Sequence, residues 1–109
     1  MIKDILMRAE KLNVHEIRAE KPEYHEFVVY IKDIGEWEKV FKEEMGLAVK
    51  PSGSNVTDEH LLITEEYGGI EKGQTLYVKK DETGATMIML WPWQDKEHVT
   101  IKMVYIQGR

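Results

Sequence analysis

A chain of 109 residues, 42% apolar and 32% charged, has the size and make-up of one globular domain, long enough to bury a substantial core. It has no cysteine, which excludes disulfides, thiolate metal sites and a cysteine nucleophile. The net charge of −5 is evenly spread, with 9 Lys or Arg against 11 Asp or Glu in residues 1–50 and 6 against 9 in residues 51–109, so no basic face for a nucleic-acid backbone is expected.

At the amino end, Lys3, Asp4 and Arg8 interrupt any apolar run, unlike a signal peptide. The longest uninterrupted apolar stretch, Met87 to Trp91, is far short of the ~20 residues of a membrane span, and a cytoplasmic protein is the expectation. Ile2, Ile5, Leu6, Ala9 and Leu12 fall at helical spacing and predict an amphipathic helix of about three turns ending near Asn13. The polar stretch that follows, broken by Pro22, reads as a connector with a short strand around His15 to Ala19. Glu26 to Lys32 is rich in β-branched and aromatic residues and predicts a central strand.

Asp33 and Glu36 have capping-box spacing, and Ile34, Trp37, Val40, Phe41 and Met45 mark the stripe of a second helix, with Gly46 as its left-handed terminator. Leu47 to Lys50 suggests a short strand ended by the loop Pro51-Ser52-Gly53-Ser54-Asn55. Thr57 to Tyr67 fits either of two elements. Thr57 can cap a helix closed by Gly68, or His60 to Glu66 can be a strand. The sheet-like surroundings favour the strand.

Thr75–Lys80, Ala85–Trp91 and Val99–Ile106 then predict three strands, the first two joined by a turn at Asp81-Glu82-Thr83-Gly84 with the glycine left-handed. The expected architecture is a single α+β domain over residues 1–109. In it, two helices cover one face of a mainly antiparallel sheet of about five strands that ends in a three-stranded meander.

Two tryptophans flank Pro92. In an extended chain Trp91 and Trp93 point to the same side, about 7 Å apart, where they could anchor a partner or simply cap the core. Together with Met87, Met89, Met103 and Tyr105 they exceed what one sheet face needs, which makes Trp91, Trp93 and Tyr105 the candidate binding residues. The four histidines, His15, His25, His60 and His98, show no local metal-ligand spacing, although His25, His60 and His98 could converge across strands. Ser52 and Ser54 lie in a loop without a nucleophile motif, and the pairs Asp58-Glu59 and Glu65-Glu66 read as solvated faces. The glycines Gly68, Gly69 and Gly73 match no phosphate-binding pattern. The balance leans away from an enzyme and from any cofactor. A protein-binding or self-associating domain is the leading expectation.

Residues 25–50, HEFVVYIKDIGEWEKVFKEEMGLAVK, resemble the first half of a vicinal oxygen chelate module, in which a strand opens with a metal-binding histidine, an aspartate starts a helix, and Gly-Leu ends it. His25, Asp33 and Gly46-Leu47 occur in that order. The resemblance implies a metal-dependent enzyme or small-molecule binder, with His25 as a ligand and His60 or Glu65 as companions. A third expectation, from the acidic balance, is an inhibitor or immunity-type protein that meets a basic site.

Overall fold

A computed structural model describes residues 1–108. The helix α1 (Ile2–Arg8) leads into an edge hairpin, β1 (Glu16–Lys21) and β2 (Tyr24–Tyr30). Helix α2 (Ile34–Met45) follows, then α3 (Asp58–Thr64), and then the meander β3 (Thr75–Lys80), β4 (Gly84–Pro92) and β5 (His98–Gln107). The five strands form one fully antiparallel sheet in the order β1-β2-β5-β4-β3. The protein is therefore α+β, with the last strand at the centre of the sheet.

Alternation along the central strands sends side chains to two cores. Phe27, Val29, Ile88, Leu90, Val99, Ile101 and Met103 face α1 and α2, where they meet Ile5, Trp37, Val40, Phe41 and Met45. The stripe read from the α2 sequence is that buried face. Arg8 of α1 pairs with Glu43 and, at 3.0 Å, with Glu44, linking the two helices across their exposed sides. Lys79 of β3 donates to the Glu44 carbonyl at 3.1 Å, a cation set at the carboxyl end of α2 where the helix dipole favours it.

The opposite face is also covered. Met87, Met89 and Val104 pack against Ile70 and the half-buried Val56, Ile63 and Tyr67, all from the segment between α2 and β3. This corrects the strand reading of residues 57–67. Thr57 opens α3 with a capping box in which its hydroxyl accepts from the His60 N–H at 3.1 Å while His60 Nδ1 accepts from the Thr57 N–H at 3.2 Å. The helix runs into a 3₁₀ turn over Glu65–Tyr67, and Gly68, with φ 103°, ends it. The apparent surplus of methionine and tryptophan is explained by the second core: β4 is buried on both sides.

Three smaller expectations also change. α1 is seven residues long, and Leu12 reaches the same core from a turn beyond it. Asp33 does not cap α2, because a 3₁₀ turn over Ile31–Asp33 gives it helical dihedrals rather than the extended backbone a capping side chain needs. Leu47 to Lys50 contributes a single bridge, Lys50 opposite Leu76, not a strand. In the β3–β4 hairpin Gly84 is not left-handed. Instead the Asp81 carboxylate accepts from the Thr83 and Gly84 N–H groups, both at 2.8 Å, and a β-carbon on Gly84 would lie 2.1 Å from the Ile106 carbonyl oxygen. Close backbone approach is what requires glycine there.

Candidate functional site

The six histidine and aromatic candidates do not form one site. Trp91 and Trp93 do share a side of the sheet, the one opposite α1 and α2. Both are half-buried, and both are engaged within the chain. The Trp93 indole N–H donates to the Thr100 hydroxyl at 2.8 Å, and the Arg18 guanidinium lies 5.3 Å from the ring centre. The Lys102 ammonium sits 3.5 Å from the centre of the Trp91 ring and donates to the Tyr67 carbonyl at 2.9 Å. Burial lowers the Lys102 pKa below the ordinary lysine value, and the ring and carbonyl together hold the cation. Tyr105 alternates to the α1 and α2 side, where its hydroxyl contacts Thr83 at the β3–β4 turn.

His25 and His60 are likewise separated by the sheet. His25, opposite Met103, lines a cleft with Leu6 and Glu10 on the α1 side. His60 belongs to α3 on the other side and spends Nδ1 on its capping box. Glu65, beyond α3, is exposed. The pair implied by the chelate resemblance is not brought together.

An apolar groove lies beside α3. Its volume is about 680 Å³, and it is lined by the apolar side chains of Val49, Ile63, Val78, Met87 and Ile106. Glu59 and His60 also line it from α3, and Lys80 from β3. The helix above it has an inverted pattern. Its sheet-facing positions are His60, Ile63 and Thr64, with Thr64 buried and its hydroxyl donating to the His60 carbonyl at 2.8 Å. Its two leucines point outward: Leu61 is 46% and Leu62 68% exposed. An ordinary surface helix does the opposite and turns leucine inward.

Between the loops before and after that segment sits a buried cation that sequence reading did not single out. Lys50 has no exposed surface, and its ammonium donates to the carbonyls of Gln74 at 2.7 Å, Lys72 at 2.8 Å and Pro51 at 3.2 Å. Burial pulls its pKa down, while three carbonyl dipoles favour the charged form. All three donors are used. The group is a clasp between two loops, not a free amine poised for chemistry.

At the opposite end of this sheet face, where β2 ends and β5 begins, four rings gather. His98 stacks within 4.8 Å of Trp93, 4.8 Å of His15 and 5.3 Å of Tyr30, centre to centre. His15 and His98 come from opposite ends of the chain, and the strand order β1-β2-β5 brings them together. Comparison with family models, curated proteins and solved structures finds no match to the chain.

Proposed function

We propose that this chain is a self-associating binding domain whose contact surface is the outer face of α3 with the groove beside it, occupied by a second copy of the chain. The inverted polarity of α3 carries the reading. Leu61 and Leu62, 46% and 68% exposed, share α3 with Ile63, which lines the groove, and an apolar helix face is stable when another surface buries it.

The lining favours a copy of the same chain. A twofold contact must be self-complementary, and here Glu59 and Lys80 line the same groove, so rotation can set each against its opposite in the partner. The indoles, read from sequence as the contact, have partners of their own in Arg18, Thr100 and Lys102, which moves the support from them to α3.

Sedimentation velocity over about a hundredfold range of concentration tests this, because a dimer's population follows mass action. The expected result is a dimer that Leu62→Glu converts to monomer with an unchanged circular dichroism spectrum. A monomer at every concentration, or a dimer indifferent to Leu62→Glu, overturns it. A groove of about 680 Å³ also lies within the size range of small-ligand pockets, which favours an apolar metabolite as the second reading. Native mass spectrometry of the same sample separates the two: added mass on a monomer supports the ligand, doubled mass the dimer.

A further inference from the structure

We infer that the cleft between α1 and the β1–β2 hairpin binds a small, largely apolar amine that also carries a hydroxyl or carbonyl oxygen. The cleft lies on the sheet face opposite the α3 groove and shares no lining residue with it.

Two hollows, of about 310 and 490 Å³, meet at Leu6, Glu10 and His25. Leu6, Leu12 and Phe27 make the smaller one apolar, and the exposed Val14 and Ile17 carry that lining to the surface. Glu20 reaches it because β1 is irregular. In a regular strand Ile17 and Glu20, three residues apart, would point to opposite faces. The bulge between Ile17 and Ala19 inserts one residue, so Ile17 stands opposite Phe27 and Glu20 opposite His25, which share one face of β2. A bulge that re-aims a charged side chain into an apolar hollow is a local cost with no gain to the fold.

Glu10, just past α1, lines the same hollow, and among the described residues neither carboxylate has an ion-pair partner. Lys3, in the larger hollow, is the one lysine or arginine of the lining. Two free carboxylates against one lysine favour a cationic guest. The inner end asks for something else. Trp37 of α2 lines the smaller hollow, is only 2% exposed, and packs on Phe27 with ring centres 5.2 Å apart. Its indole N–H is buried without an acceptor. Buried donors are nearly always paired, so this one is matched by an oxygen that the guest brings. An amine toward Glu10 and Glu20, an oxygen toward Trp37 and an apolar body across Leu6 and Phe27 complete the site.

Tyramine has all of these features and is the probe. Proton–nitrogen correlation spectra of labelled protein read the indole N–H groups directly, assigned with Trp91→Phe and Trp93→Phe. One saturable site per chain is expected, with the Trp37 indole resonance moving downfield and those of Trp91 and Trp93 unmoved. Phenethylamine, which lacks the oxygen, should bind about threefold to tenfold more weakly and leave the Trp37 indole resonance without that shift. Hydroxyphenylpropionate, a carboxylate in place of the amine, should bind about tenfold more weakly or worse, and Glu20→Gln should weaken tyramine about threefold. Ile17→Arg, at an exposed edge position, sets a cation of the chain's own in the cleft and should abolish binding. Leu62→Glu should leave it unchanged, which keeps this site distinct from the α3 contact. Absence of saturable tyramine binding, equal binding of either analogue, or a tyramine-induced shift at Trp91 or Trp93 in place of Trp37 overturns the site.

Discussion

Gly68 is packed directly against Trp91: a β-carbon built on the glycine would fall 2.3 Å from the ring's Cη2 atom and 3.2 Å from the Lys102 ammonium. The turn that ends the α3 segment is thus seated on the indole and on the cation above it. Gly68→Ala should therefore cost about 2–3 kcal/mol, from a strained positive φ together with displacement of the ring. Gly69, also at positive φ but facing open space, provides the control, and Gly69→Ala should cost only about 1 kcal/mol. Urea unfolding followed by tryptophan fluorescence measures both. Equal losses would mean the indole is not seated under the turn.

Lys50 ties the loop after α2 to the loop before β3. Lys50→Met fills the same space but removes the donor shared by three carbonyls; Pro51 and Lys72 keep bonds from Ser54 and Gly53, Gln74 loses the ammonium at 2.7 Å, and the fold should be destabilised by about 1–3 kcal/mol. The loosening should be local first. The Gly53 amide, which donates to the Lys72 carbonyl at 2.8 Å, should exchange with solvent faster in the variant than amides in β5. Uniform acceleration across the sheet would show that the clasp acts on the whole fold instead.

The β3–β4 turn gives a pH signature. The Thr83 N–H and hydroxyl, then the Gly84 N–H, hold the Asp81 pKa below its ordinary value, while desolvation opposes them. A carboxylate depressed in the folded state contributes stability above its unfolded pKa, near 3.9, and loses it as pH falls through the folded value. Asp81→Asn should therefore lower the urea midpoint at pH 6, and the gap between variant and parent should close as pH falls below about 4. A gap that is constant with pH would place the effect in turn geometry rather than charge.

Much of the fold was legible in the sequence because its signals are local. The α2 stripe at Trp37, Val40, Phe41 and Met45 is periodic, and the strands from Thr75 onward alternate and are bounded by turns. α3 was obscured because it breaks that rule. Its inward positions carry His60 and Thr64, Ile63 and Thr64 favour strands, and its leucines face out. The usable signals were Thr57 three residues before His60, a capping box with histidine in place of glutamate, and Gly68 as the stop. The candidate sites were less legible. Strand alternation beyond Pro92 correctly put Trp91 and Trp93 on one side, but Tyr105 sits an odd number of steps along β5 from their cross-strand partner Thr100 and so faces the other core. The approach of His15 to His98 depends on long-range strand order, which no local pattern encodes.

That strand order has a consequence for how the molecule is made. Among the described residues, β5 is the keystone strand that joins the β1–β2 hairpin to the β3–β4 hairpin. Without β5 each hairpin would present an unpaired inner rim, so the sheet is closed by pairings between segments far apart in sequence. Deleting β5 would leave two separate hairpins rather than a shortened sheet, because the pairings that unite them are all made by that strand.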